Sequence, residues 1–295
     1  MHEDLKKAGS IAKKVLDFSK TLLKPEVRIL EIAEAIEQKI IDLGGFPAFP
    51  VNISINNIAA HYTPSIDDPT LIKEGDVVKI DFGVHINGYI VDLAYTEEIN
   101  DSKYKDLIEA SKKALIEVKK IIKDGIEVSE IGKKVEEVIR GYGYKPIYNL
   151  FGHKIDRYLL HAGINIPNFN NNSKVKLECG VYAIEPFATN GLGFVEESKG
   201  SGIYSIINIK PVRDRKIKEF LDYLYNKYKN LPFAYRWVYN EFKDKINVKL
   251  YIEYLKKENI LYEYPILVEK SGGVVSQHET TFFICRSVED LVDFL

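Results

Sequence analysis

VVKIDFGVHINGYIVDLAYT, residues 77–96, is the stretch whose reading decides the fold. Apolar and β-branched residues flank Asn87-Gly88, the pattern of a two-residue hairpin turn. With those two residues as the turn, Ile86 pairs with Tyr89, Gly83 with Asp92 and Asp81 with Ala94. Side chains alternate between the faces of a strand. Asp81 and Asp92 therefore share one face, diagonally across the pair and roughly 7–8 Å apart at the backbone. Two ionised carboxylates aimed at one point of a largely apolar sheet repel each other. A cation resolves the repulsion, and two divalent ions about 3.5–4 Å apart resolve it better where further ligands converge. Two solvated aspartates on the wet face of a hairpin are the alternative that this stretch alone leaves open.

Around the hairpin, the chain of 295 residues has room for one large domain or two smaller ones. Hydrophobic residues make up 45%, enough for a buried core, and the net charge of −2 gives no global reason to expect nucleic acid or membrane partners. No window approaches the ~18 apolar residues of a membrane span. The N-terminal stretch MHEDLKKAGSIAKKVLDFSK is an amphipathic helix pattern with charges throughout, unlike a signal or transit peptide. The two cysteines, Cys179 and Cys285, have no zinc-knuckle or disulfide-framework spacing and are expected to be reduced, buried thiols of a cytoplasmic protein.

Residues 1–43 read as two helices, the second starting at Pro25 and ending at Gly44-Gly45. Strands and turns are expected over 46–99. A helix over 101–123 follows, with Leu107, Ala110, Ala114 and Val118 on one face, then a break at Asp124-Gly125. Another helix over about 129–141 is capped by Ser129. Strands and loops run to about residue 211, so the second half repeats the helix-then-strand order of the first without convincing sequence identity. Residues 213–258 differ, reading as three consecutive helices. Ile217, Phe220, Leu221, Leu224 and Tyr228 form the stripe of the first. Two strands with a turn at Ser271-Gly272-Gly273 come next. Three helices and a hairpin resemble a winged-helix module; its lysines admit nucleic-acid contact but are read first as a solvated face.

A two-metal site needs more oxygen or imidazole donors on rigid elements. His153 is expected on a loop after Gly152. Glu185 ends the apolar strand VYAIE before Pro186. Glu279, in VVSQHETTFFIC, shares a face with Gln277, Thr281 and Phe283 by alternation. A carboxylate inside an apolar strand is rare unless paired or metal-bound.

These residues carry a resemblance. AFPVNISINNIAAHYTP at 48–64, the DFG and VDLAYT arms of the hairpin, GHKIDRYLLHAGINIPN at 152–168, AIEPFAT at 183–189 and SQHETTF at 276–282 resemble the type 2 methionine aminopeptidases of archaea and eukaryotes. The resemblance implies an α+β pita-bread fold, two αβ halves about a pseudo-twofold axis. It would form a single catalytic domain over 1–295 with a helical, winged-helix-like insert over 196–266. It implies five metal ligands, Asp81, Asp92, His153, Glu185 and Glu279. They would hold two divalent ions (cobalt, manganese, iron or zinc), with Asp92 and Glu279 bridging. It implies auxiliary roles for His61 and His161 beside the scissile bond, proton transfer by Glu185, and a methionine pocket lined by Phe49. The implied activity is hydrolytic removal of the initiator methionine when the second residue is small. The implied partners are nascent polypeptide N-termini, met at the ribosome by a monomeric protein.

Two relatives of this fold compete. Xaa-Pro dipeptidases share the ligand types but place the last two glutamates close together and carry an extra N-terminal domain. Non-catalytic pita-bread proteins that bind RNA or protein lose ligands, and this chain has all five. One departure stands out. The family often has a histidine after the last glutamate, whereas here Thr280 follows Glu279 and His278 precedes it. By alternation, His278 points away from the site.

Overall fold

The structure, a computed structural model, describes residues 1–293. The hairpin forms in the expected register: Val77–Ile86 and Tyr89–Glu98 pair antiparallel, with Gly83 opposite Asp92 and Asp81 opposite Ala94. Asn87 (φ 51°) and Gly88 (φ 85°) both take the left-handed conformation that the tight turn demands. Strands Phe46–Pro47 and Asn52–Ile55 pair with the other edge of Val77–Ile86. Helices α1 (Glu3–Lys20) and α2 (Ile29–Asp42) cover this sheet. α1 buries Leu5, Ala8, Ala12, Val15 and Leu16, one stripe at helical spacing, against Ile80, Phe82, Val91 and Leu93 of the hairpin core.

The second half repeats the plan. α3 (Lys105–Ile121) and α4 (Val128–Gly141) share a core with Ile166, Tyr182, Ile184, Phe282 and Ile284. The sheet on which they lie runs in the order Val288–Asp290, Thr280–Ile284, Gly180–Ile184, Phe151–Ile155, Asn165–Pro167. α2 and α4 begin and end at a constant offset of 99 residues. The strap before each is pinned the same way. Glu26 N–H donates to Ile72 O (2.8 Å), Ile72 N–H to Val27 O (3.0 Å) and Ile29 N–H to Thr70 O (3.1 Å). In the second half, Gly125 N–H donates to Leu177 O (2.8 Å), Leu177 N–H to Ile126 O (2.9 Å) and Val128 N–H to Val175 O (2.9 Å). The duplication is thus present in backbone hydrogen bonding, where sequence identity does not reveal it.

That strap also corrects two boundaries. α2 starts at Ile29 rather than Pro25, because the chain turns at Glu26 (φ 64°) and residues 26–29 are committed to backbone hydrogen bonds with 70–72. α4 starts at Val128, with Glu127 at the cap position and Ser129 already inside the helix.

The halves meet along one seam. Ala94 and Glu279 exchange both backbone hydrogen bonds (2.8 and 3.2 Å). On either side a threonine hydroxyl bridges the gap. Thr281 Oγ1 accepts from Asp92 N–H and donates to Asp92 O, both at 2.7 Å. Thr96 Oγ1 accepts from Gln277 N–H (2.8 Å) and donates to Gln277 O (2.7 Å). The seam therefore sets Asp92 and Glu279 side by side.

The helical segment folds on a third core. Strands Val195–Ile206 and Leu261–Glu269 pair with each other, with Phe233–Ala234 on one edge and Ile58–Ala60 on the other. α5 (Arg215–Tyr228), α6 (Tyr235–Phe242) and α7 (Val248–Lys257) pack on them around Phe220, Leu224, Phe233, Val238, Ile252 and Leu255. Of the expected α5 stripe, Ile217, Phe220, Leu221 and Leu224 are buried and Tyr228 is partly buried.

The cysteines overturn the expectation of free, buried thiols. Cys179 and Cys285 form a disulfide, and Cys179 is exposed. Gly180 pairs with Ile284, so the two cysteines are the next cross-strand pair outward, with Cα atoms 4.2 Å apart. A sequence separation of 106 residues hides this adjacency.

Candidate metal centre

Asp81, Asp92, His153, Glu185 and Glu279 all line one cavity of about 240 Å³ between the halves. His61, His161 and Phe49 line it as well. Each donor sits on or beside a strand. Asp81 and Asp92 come from the two hairpin arms. His153 is not on a loop but inside strand Phe151–Ile155, opposite Ala183. Glu185 follows Gly180–Ile184, and Glu279 falls between Val275–Gln277 and Thr280–Ile284.

The geometry is that of a cation site. One donor atom each from Asp92, His153 and Glu279 lie within 4.8 Å of one another. His153 Nε2 is 3.6 Å from Asp92 Oδ2 and 3.7 Å from Glu185 Oε1. Asp92, His153 and Glu279 are buried, with at most 3% of their surface exposed. Asp81 Oδ1, Asp92 Oδ1 and Glu279 Oε1 are buried oxygens without a hydrogen-bond partner among the described residues. Each would cost a few kcal/mol if left so. Divalent ions suit this donor set: carboxylate oxygens, one imidazole and no thiolate.

Electrostatics say the same. Burial pushes all four carboxyls above their ordinary range, and mutual repulsion adds to it: Asp92 acts on Asp81, Glu185 and Glu279. Burial pulls His153 down to about 4, which keeps the imidazole neutral at physiological pH and able to ligate. His61 is likewise lowered to about 4 by burial, partly opposed by its contact with Pro265 O at 3.1 Å. The His161 ring lies 4.3 Å from that of His153.

Phe49 is 5% exposed and packs with Ile90, Leu160 and Leu231. Gly83 makes room for it: a Cβ there would meet Phe49 Cε1 at 2.5 Å. His278 turns away as expected, with Nδ1 2.9 Å from Ser111 Oγ on α3.

Several further groups line the cavity or support its ligands. Asn52 pairs with Asp81 and lines the cavity with an unpartnered Oδ1. Gln277 donates to Glu279 Oε2 at 3.1 Å, a contact its shared face with Glu279 foreshadowed. Tyr264 sets its ring edge-on to His61 at 5.6 Å. Ile203, Pro232 and Tyr264 bring residues of 196–266 into the wall, which no local motif signals.

The profile of metallopeptidase family M24 matches residues 3–211. The chain belongs to metallopeptidase family M24. A methionine aminopeptidase of Thermococcus onnurineus is 47% identical over 284 residues, covering 96% of each chain. Among solved structures, a thermophilic Arx1 superposes with a TM-score of 0.82 at 17% identity, over 98% of this chain and 89% of that one. A methionine aminopeptidase of Thermotoga maritima superposes with a TM-score of 0.69 at 21% identity, over 98% and 95%. The fold is the α+β pita-bread fold of this family.

Proposed function

We propose that this M24 metallopeptidase is a dinuclear aminopeptidase that removes the initiator methionine from polypeptides whose second residue is small. The observation that carries the reading is the convergence of four carboxylates and one neutral imidazole, several with unpartnered buried atoms, on one cavity. The full-length similarity to a methionine aminopeptidase supports it.

In this reading Asp81, Asp92, His153, Glu185 and Glu279 hold two divalent ions drawn from cobalt, manganese, iron or zinc. When bound, the ions supply Lewis acidity that polarises the scissile carbonyl and lowers the pKa of water. Asp92 and Glu279, adjacent on the seam, would both hold the ions. Glu185, whose carboxyl is raised by burial and by Asp92 and Asp81, suits proton transfer. His161, beside His153, donates toward the developing oxyanion. His61 contacts substrate near the scissile bond, and Phe49 receives the methionine side chain through apolar and sulfur–aromatic contact. The restriction to a small second residue would follow from a cleft that closes over that residue, so that a bulky side chain displaces the carbonyl from reacting geometry.

We further propose one catalytic domain over 1–295 with 196–266 inserted, acting as a monomer on chains leaving the ribosome, and so in the cytoplasm. Among the described residues, no helix is long and apolar enough to cross a membrane. The test compares Met-Ala-X with Met-His-X at equal concentration, with Ala-Pro as control. Release of methionine from Met-Ala-X alone is expected. Efficient cleavage of Met-His-X would contradict the small-residue restriction, and preference for Ala-Pro would make the enzyme a dipeptidase.

A further inference from the structure

Arg236, on α6 of the helical segment, is 2% exposed and lies far in sequence from every motif of the site. Its guanidinium reaches across to α2 and donates through Nη2 to Glu37 Oε1. Nη1 donates to Thr63 Oγ1 at 3.0 Å. The neighbouring Trp237 donates Nε1–H to the other Glu37 oxygen at 2.8 Å. The network then closes on the backbone beside the cavity. Glu37 Oε1 accepts from Val51 N–H at 3.1 Å, and Thr63 Oγ1 donates to Val51 O at 2.8 Å. Both backbone groups of Val51 are thereby tied to the Glu37–Arg236–Thr63 cluster. Val51 is two residues from Phe49 and adjacent to Asn52, and Thr63 is two residues from His61. All three neighbours line the cavity.

The held segment has reason to need holding. His61 has φ 63°, in the left-handed region that a residue with a Cβ rarely takes. A conformation of this kind persists where the surroundings over-determine it. Tyr62 O accepts from Ile53 N–H at 2.7 Å on one side, and Pro265 O meets the His61 ring on the other. The Thr63 hydroxyl is held twice more, by Val51 O and by Arg236, and the Arg236 bond is the one supplied by a helix of the inserted segment.

We propose that Arg236 is a positioning residue: with Glu37 it sets the His61 and Phe49 segments against the metal floor. The helical segment thereby contributes to catalysis without placing a helix side chain on the substrate. This inference rests on the reading of His61 as a substrate-contacting residue.

Three variants test it in the metal-loaded enzyme, each also in a His61→Ala background. Thr63→Val cuts the link while leaving the Glu37–Arg236 pair intact. Arg236→Lys keeps the charge opposite Glu37 but cannot span Glu37 and Thr63 in a fixed fork. Arg236→Leu removes both, and if it fails to fold the other two carry the test. The expected result is a fall in kcat/KM on Met-Ala-Ser of about tenfold for Thr63→Val and Arg236→Lys, with metal content unchanged. In the His61→Ala background the same substitutions should cost less than about twofold. Arg236→Lys should recover most of the Tm lost in Arg236→Leu without recovering kcat/KM. Equal losses in both backgrounds, or wild-type kcat/KM in Arg236→Lys, would overturn the positioning role. If His61→Ala alone left kcat/KM unchanged, the reading of His61 would be what failed, and the inference with it.

Discussion

Two regions of this molecule bury charge, and they do so in opposite ways. On the seam between the halves, four carboxyls converge with one neutral histidine, and Asp81, Asp92 and Glu279 each keep an oxygen without a partner. At the junction of α2 and α6, Glu37 is equally buried, yet both its oxygens are taken by Arg236, Trp237 and Val51. In the second region both carboxylate oxygens are satisfied by the protein, although Arg236 Nε finds no partner among the described residues. The first is complete only with cations. Buried charge by itself therefore does not mark a functional site; the uncompensated share of it does.

Neutralising one carboxyl in each region should move stability in opposite directions. Glu279→Gln removes repulsion from the seam, so the metal-stripped variant should melt above the stripped parent while turnover is abolished and metal binding is lost. Glu37→Gln withdraws the charge opposite Arg236, so its Tm should fall. Breaking one side of a buried pair costs about 3–5 kcal/mol. Thermal melts with and without chelator, alongside metal analysis, read both. Near-normal turnover of Glu279→Gln with two ions bound would remove the distinction.

Replacing the pair as a unit sharpens the contrast. Arg236→Met with Glu37→Leu should recover much of what Glu37→Gln loses, because apolar replacement of a buried pair is often neutral or better. No apolar replacement at the seam should restore turnover.

His161 gives a smaller effect of another kind. It is exposed and outside the carboxylate cluster, so His161→Ala should leave metal content and Tm intact while lowering kcat on the order of 10²-fold. Loss of metal in that variant would place it among the ligands.

The smallest effect is the pH dependence of metal stabilisation. The seam carboxyls have folded-state pKa values raised above the ordinary 3.8 and 4.5. In stripped protein their contribution to stability is present below those values and is lost as pH rises through the raised ones. His153, lowered from 6.5 to about 4, has the opposite sign: its contribution is present above 6.5 and is lost as pH falls toward 4. Metal binding by the proposed ligands would need the carboxyls ionised and His153 neutral. The Tm gap between loaded and stripped protein should therefore widen as pH rises. Differential scanning calorimetry of both forms across neutral pH checks it, and a gap that narrowed would contradict the assignment.

The contrast also explains what was legible in the sequence. The hairpin register, with Asp81 and Asp92 on one face, follows from a turn dipeptide and period-two alternation, both local. Glu279 follows from the same alternation. The duplication is encoded in the straps at 26–29 and 125–128, where any residue can supply the backbone groups, so no residue identity marks it. The Cys179–Cys285 bond depends on the register between strands about a hundred residues apart, and Arg236 on the docking of a separate helical layer. Local pattern carries the metal floor, whereas the walls of the cavity are a product of tertiary packing.

The central claim is that the seam is a metal centre for releasing N-terminal methionine. Chelator-stripped protein titrated with a divalent ion, with methionine release from Met-Ala-Ser followed alongside bound metal, tests it most directly. Turnover that rises from zero as the ions bind, saturating at two per chain, is the predicted result. Binding of two ions with no methionine released would contradict it.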